Sequence, residues 1–353
     1  MDPNVLKDAL QKGKIEKIKD EIEYLRVKDP FRDVERGTVI TNEIIVPSYP
    51  HIKRIFTLEN GLKKNIHLPI IYAEEKIDGY NVRIVSIKGD IYAFSRGGFL
   101  DAFVTEKVRE MKLEKFFKDF PKYMLCGEMI GNTPHTEPTD QFDVRLYIFD
   151  IYNGKNFLGC DERYRMVSKY GMPSIPKIGK FQSDDYPGLR RVVLALNKGR
   201  KEGVVLKSSD RTEAVKYVTA YSDIEDIAQA SNRFLDMPLG FYYQRILRSA
   251  MFINDFGMNR EEHAKRLGMA FYRGLEDSVN RIKQGKEISE EFEIFIKDEK
   301  VWKDILKHSS KDAKIEEIFR KVEKGKTRIR FRRIYKNTTK ILNSYSKGKA
   351  IED

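Results

Sequence analysis

The spacing of hydrophobic positions changes several times along the 353-residue chain. Leu6, Leu10, Ile15, Ile18, Ile22 and Leu25 recur on one helical face, behind Asp2-Pro3, an N-cap followed by proline at the first helical position. This predicts one N-terminal helix, weakened at Gly13 and ended by Asp29-Pro30. Thr38 to Val46 is β-branched and predicts a strand. Ile52 to Leu68 predicts a small β unit turning at Asn60-Gly61.

From about residue 70 to 220, strand and helix periods alternate. A strand leads to Lys76, and Val82 to Ile87 and Ile91 to Ser95 form a hairpin about Lys88-Gly89-Asp90. Ala102 to Phe120 predicts an amphipathic helix, Tyr123 to Ile130 a strand, Asn132 to Gln141 a loop and Val144 to Tyr152 a buried strand. Leu158 to Tyr170 and Tyr186 to Lys198 predict helices. Gly203 to Ser208 and Glu213 to Thr219 predict strands around a polar turn. Strands mixed with segregated helices argue an α+β fold, with antiparallel sheets lining a central cleft.

The character changes at Ser222-Asp223-Ile224-Glu225, a capping-box signature. From there to about Lys324 nearly everything reads helical, including Leu239 to Phe256, Asn259 to Lys283, Ser289 to Ile296 and a short helix at Trp302. Leu239 to Phe256 is apolar around most of its circumference, which predicts full burial or an interface. Thr327 to Arg332 alternates strictly, with Arg328, Arg330 and Arg332 on one face and Ile329 and Phe331 on the other. The tail from Ser346 is expected to fray. The boundaries expected are 1–70, an N-terminal helix with a small β module; 71–221, the α+β core; 222–300, a helical dimerisation unit; and 301–353, a helical and basic unit.

Composition adds a partner class. Lys and Arg exceed Asp and Glu by 12 charges, with a pI of about 9.3, which favours a polyanion. Cys126 and Cys160 make no metal-spaced pair, and the five histidines are scattered, so no zinc site is readable. No apolar run reaches membrane-spanning length, and the polar, acidic start is unlike a signal peptide, so a cytoplasmic protein is expected.

The candidate chemistry centres on Glu74-Glu75-Lys76-Ile77-Asp78-Gly79. A lysine ordinarily holds its proton to about pH 10.4, but once deprotonated it is a competent nucleophile. Lys76-x-Asp78-Gly79 is a weak signal by itself. It is followed in order by Ser95-Arg96-Gly97-Gly98, Cys126-Gly127-Glu128, Tyr147-Ile148-Phe149-Asp150, Glu202-Gly203-Val204-Val205-Leu206-Lys207 and Ala214-Val215-Lys216-Tyr217. The ordered set resembles the signature of the covalent nucleotidyltransferases: DNA ligases, RNA ligases and mRNA capping enzymes.

Within that superfamily the chain most resembles the archaeal ATP-dependent RNA ligases, homodimeric enzymes that join or circularise RNA ends. The resemblance is strong over about 70–220 and less specific elsewhere. It implies ATP and Mg²⁺ (or Mn²⁺) as cofactors, RNA with 5′-phosphate and 3′-hydroxyl ends as partner, and a lysyl-N-AMP on Lys76. Lys207 and Lys216 would stabilise phosphate charge. Glu202 would bind the metal or orient Lys76, and Asp150 could reach the metal. Glu128 would meet ribose hydroxyls, Arg96 ribose or a phosphate, and Glu75 the adenine. Phe149 is either a core aromatic or, as the resemblance implies, a stacking platform for adenine. Arg328, Arg330 and Arg332 would contact RNA. DNA ligases and capping enzymes usually follow this core with an OB-fold, whereas here a helical segment follows. Two alternatives stay open: a basic RNA-binding protein with an idle transferase-like core, and a DNA ligase or guanylyltransferase.

Overall fold

The computed structural model describes residues 3–309 and 313–351. Helix α1 (Pro3–Gln11) stops at Gly13, whose φ of +65° suits glycine at a helix end; Asp2, the expected cap, lies outside the described residues. The expected long helix is corrected beyond this point. Residues 15–27 form a hairpin, β1 (Ile15–Lys19) and β2 (Glu23–Val27), because Ile15 and Val27 pair directly and bury together against Ala9. The expected strand over 38–46 is two short ones, β3 (Val39–Ile40) and β4 (Ile45–Val46), joined by a turn in which Thr41 Oγ1 accepts from Glu43 and Ile44 N–H. These four strands make the N-terminal sheet. After β5 (Lys53–Arg54), the expected β unit is also corrected: Asn60-Gly61 lies inside α2 (Leu58–Asn65), which buries Leu58 and Leu62. Gly61 allows the helix to approach Ile55, since a Cβ would sit 2.5 Å from that side chain.

The core follows in chain order: β6 (Ile70–Lys76), β7 (Tyr80–Ile87), β8 (Asp90–Ser95), α3 (Ala102–Arg109), α4 (Glu114–Asp119), β9 (Met124–Gly131), β10 (Val144–Tyr152), α5 (Cys160–Lys169), β11 (Lys177–Gln182), α6 (Tyr186–Lys198), β12 (Gly203–Ser208) and β13 (Ala214–Val218). The single helix expected over 102–120 is broken near Lys112, which has a positive φ of 54°. One sheet runs β11-β6-β12-β13-β5, the other β10-β9-β7-β8. Alternation gives each sheet two faces. In the first, Ile71, Ala73, Val204, Leu206, Val215 and Tyr217 bury against α2, α6 and the end of α8 (Leu239–Phe256), while Glu74, Lys76, Val205, Lys207 and Lys216 line a cleft. In the second, Val82, Ile84, Leu125, Leu146 and Ile148 bury against α3, α4 and α5. Its other face meets the N-terminal sheet through Phe94, Cys126, Tyr24 and Val46.

Beyond the core lie α7 (Ala220–Ala230), a 3₁₀ turn over Ser231–Asp236, α8, α9 (Arg260–Lys283), β14 (Ser289–Ile296), α10 (Glu299–Ser309), β15 (Lys314–Glu323), β16 (Lys326–Ile334) and α11 (Lys336–Ser346). The cap of α7 is Thr219, whose hydroxyl accepts from Ser222 N–H, so the expected capping box falls inside the helix. Residues 289–296, expected as a helix, are a strand. Phe292, Ile294 and Ile296 alternate inward, and the segment pairs with β16 in the sheet β14-β16-β15. That sheet crosses residue 300, so a boundary there would cut it. Its inner face, including Ile329 and Phe331, packs with Val104 and Val108 of α3.

Candidate active site

Lys76 stands at the end of β6, opposite Gly203 of β12. Glu202 immediately precedes β12, which brings its Oε1 to 2.5 Å from Lys76 Nζ. Gly79 then lets the chain turn against β9, since a Cβ would meet Met129 O at 2.4 Å. Glu128, on β9 opposite Asn81 of β7, and Arg96, from the turn after β8, face Lys76 from the second sheet. The cleft, about 170 Å³, is lined by Lys76, Arg96, Glu128, Phe149, Lys207 and Lys216 together with Tyr49, Ile52, Asn81 and Val205.

Phe149 reaches the cleft through an irregularity. The β9–β10 register runs Ile148↔Gly127 and then Asp150↔Cys126, so Phe149 is the extra residue of a bulge, a device that re-aims a side chain. Its ring is half-buried, edge-on to Tyr49 at 5.1 Å between centroids.

Electrostatics sort these groups into two sets. The first surrounds Lys76. Burial raises the Glu202 carboxyl to about 7 despite the opposing Lys76 charge. Burial likewise raises Glu128 to about 8. Lys216 is pushed down to about 8, first by burial and then by Arg54, Lys76 and Arg96. Asp78 is raised by burial and by Asp226. The second set is a closed ion-pair cluster under the cleft floor. Lys207 Nζ lies 2.8 Å from Glu74 Oε2 and 3.0 Å from Asp150 Oδ1, and it donates to Phe149 O at 2.7 Å. Arg163 of α5 pairs with Glu74, and Arg211 grips both oxygens of Asp150. Tyr49 Oη also donates to Asp150. Burial alone would raise the Asp150 carboxyl, but Lys207 and Arg211 hold it well below the usual carboxylate range.

Three expectations change in this light. Lys207, expected to stabilise phosphate charge, is 2% exposed and held by Glu74, Asp150 and the Phe149 carbonyl. Asp150, expected to reach a metal, is 1% exposed with both oxygens taken by cations and a hydroxyl; it is tied into the floor of the site. Arg328, Arg330 and Arg332, expected as a free basic face, pair with Glu293, Glu291 and Glu316 at 2.7–2.9 Å. Glu75 sits at the cleft edge, 2.9 Å from Lys201 Nζ. Among the described residues, no group of three carboxylate, histidine or cysteine ligands gathers as a preformed metal cage. Glu202 Oε2 is nevertheless buried without a hydrogen-bond partner. That oxygen suits a divalent ion completed by nucleotide phosphates and water, the usual manner of Mg²⁺.

Sequence reasoning gave no role to Glu74, which lies within the key stretch, and did not single out Arg163, Arg211 or Tyr49. Arg163 did leave a signal: it occupies the face of α5 otherwise held by Cys160 and Val167, where an arginine needs a buried partner.

Residues 69–218 match the family model described as RNA ligase, and residues 229–349 the one described as Ligase Pab1020 C-terminal region. The uncharacterized protein MJ0414 of Methanocaldococcus jannaschii is 34% identical over 303 residues, 81% of this chain and 76% of that protein. A structure from Aquifex aeolicus, provisionally described as an ATP-dependent DNA ligase, superposes with a TM-score of 0.92 at 30% identity, covering 99% of this chain and all of the other. An archaeal ATP-dependent RNA ligase superposes with a TM-score of 0.89 at 25% identity, covering 99% and 96%. With the lysine-centred cleft and both family models in place over the same fold, the chain belongs to the archaeal ATP-dependent RNA ligase family, within the nucleotidyltransferase superfamily, and is an ATP-dependent ligase.

Proposed function

We propose that the protein joins a 5′-phosphate and a 3′-hydroxyl of RNA through an AMP carried on Lys76. The observation that carries this reading is the Lys76–Glu202 contact, 2.5 Å long, inside a cleft that also holds Lys216 and Arg96. Glu202, raised to about 7, can take the ammonium proton near neutral pH. The freed amine attacks the α-phosphorus of ATP. A P–N bond forms, the P–O bond to the β-phosphate breaks, and its electron pair leaves with pyrophosphate. Lys216 and Arg96 stabilise the charge that develops on the phosphate oxygens. Phe149 supports the adenine face, and Glu128 meets the ribose. Lys207 acts beneath the site, where it holds the Phe149 carbonyl and so the bulge. A Mg²⁺ or Mn²⁺ ion bound at Glu202 Oε2 would add positive charge at the phosphates.

The AMP then passes to the RNA 5′-phosphate, and the 3′-hydroxyl displaces it to close the phosphodiester. RNA is preferred to DNA as substrate because the family model over the catalytic core is that of RNA ligases, and because helices and a three-stranded sheet follow the core. Joining assays on matched 5′-phosphorylated RNA and DNA ends test this: RNA ends should be sealed, and sealing of DNA ends alone would refute it. We also propose a homodimer, supported by Leu239, Tyr243 and Leu247, spaced four apart on α8 and exposed by 90%, 69% and 44%.

A further inference from the structure

A second cavity, of about 330 Å³, lies beside the cleft, and none of its groups takes part in the reaction above. The two meet at Ser95-Arg96: Ser95 lines the cavity and Arg96 the cleft. Four segments bring aromatic rings to its walls. Tyr80 opens β7, directly after Asp78-Gly79, and His135, from the loop between β9 and β10, stands edge-on to it at 5.5 Å between centroids. Phe99 follows the turn after β8, and His308 of α10 is tilted against it at 6.2 Å. Phe99 is 40% exposed, yet its ring is held: the Arg26 guanidinium lies over it at 4.0 Å, and itself donates to Glu16 and to Gly97 O.

The polar groups of this cavity are unlike those of the cleft. The chain carries a formal charge of +12, yet no lysine or arginine is among the described residues that line it. Its charged side chains are Asp20, Asp101 and Asp304. Asp20 and Asp101 accept locally, from Glu21 N–H and Val104 N–H. The Asp304 carboxylate, one turn before His308 on α10, forms no hydrogen bond or ion pair among the described residues. The Tyr80 hydroxyl is likewise buried without a partner. Aromatic walls with acceptors and no cation repel a phosphate. They suit a flat, uncharged ring that donates hydrogen bonds from its edge. A nucleobase with an exocyclic amino group is such a ring, and unpaired RNA bases are bound by stacking on aromatic side chains and by contacts along their edges. An organic cation would also satisfy the carboxylates, but the wall shared with the cleft favours a base. A nucleotide whose phosphate meets Arg96 on the cleft side has its base within reach of the cavity.

We propose that this cavity receives the base of the 5′-phosphorylated terminal nucleotide, with Asp304 accepting from its exocyclic amino group, so that the enzyme selects an amino-bearing base over uracil at that end. The inference rests on the RNA-joining reading above. It gives α10 a part in recognition: the segment beyond the core supplies the residue that reads the base.

The test uses the full-length protein and two 5′-phosphorylated RNAs that differ only in a 5′-terminal cytosine or uracil, which exchanges an amino group for a carbonyl oxygen at one ring position. Binding is read by fluorescence anisotropy of RNA labelled at its far end, and sealing by the KM of the same RNAs. The cytosine RNA should bind about fivefold more tightly, as one base-edge contact to a carboxylate allows, and its KM should be lower by the same factor. Asp304→Asn, whose amide can donate to the uracil oxygen, should abolish or reverse the preference at an unchanged melting temperature, an outcome that lost packing alone would not produce. Phe99→Ala should weaken both RNAs alike, because stacking is blind to the edge groups. Equal binding of the two RNAs by the wild type, or a preference that survives Asp304→Asn, overturns the proposal. Spermidine binding that Asp304→Asn abolishes, with no base preference, also overturns it, assigning the cavity to an organic cation. A cytosine preference in binding that Asp304→Asn removes, in a protein that seals neither RNA, would refute the joining reading and leave the cavity standing.

Discussion

Lys76 and Phe149 are the residues whose chemistry is most open to direct tests. Lys76→Arg keeps a cation beside Glu202 but cannot lose its proton, so adenylate formation should vanish while melting temperature stays near wild type. Phe149→Ala removes a ring that the bulge turns toward the cleft. ATP affinity should fall by roughly 1–3 kcal/mol, the usual worth of a base–aromatic stack. A variant that melts earlier but binds ATP normally would return Phe149 to the core. Glu128 sets a pH dependence. Its folded pKa, about 8, lies above the ordinary glutamate value of 4.5, so the folded state holds this proton longer than the unfolded chain does. Its contribution is fully present below the unfolded pKa and is lost as pH rises from about 4.5 to 8. The nucleotide-free protein should therefore lose melting temperature over that range, and Glu128→Gln should flatten the decline. The lysine, the acids and the lysines of β12 and β13 were legible in the sequence because their order is distinctive. The Glu74–Arg163 and Asp150–Arg211 pairs were not, because each joins residues more than 60 positions apart.

Elements were legible where one period ran without competition. Val144–Tyr152, Tyr186–Lys198 and Leu239–Phe256 have the bounds their patterns suggest. The pattern misled where apolar residues fit both periods. Ile15, Ile18 and Ile22 read as a helical face, yet the cross-strand pairing of β1 with β2 overrides that spacing. In β14 the glutamates between apolar residues look like a helix surface, and only the partner strand β16 decides the matter. Ile294, fully buried there, should cost about 2–5 kcal/mol on replacement by alanine, measured by chemical denaturation. The outer face of that sheet should behave differently. Its arginines are already neutralised by glutamates, so Arg328→Gln, Arg330→Gln and Arg332→Gln together should leave the salt dependence of RNA binding nearly unchanged. A slope smaller by about three, one per lost phosphate contact, would show instead that these arginines leave their glutamates for RNA.

At the scale of the whole molecule, α8 has two faces. Phe252 and Phe256 bury against Tyr217 of the catalytic sheet. Phe252 is therefore an internal residue, 2% exposed. The apolar remainder, Leu239, Tyr243 and Leu247, is what a second copy would cover. Tyr243→Asp with Leu247→Asp should yield a monomer of about 41.3 kDa by light scattering, from a wild type twice that mass, whereas Phe252→Asp should unfold the protein. The central claim is that one lysine in this cleft carries AMP. It is tested most directly by incubating the wild-type protein with α-labelled ATP and magnesium, denaturing it, and mapping the retained label by peptide mass spectrometry. The account predicts label on Lys76, released by pyrophosphate; a protein that retains none, or carries it on another residue, would contradict it.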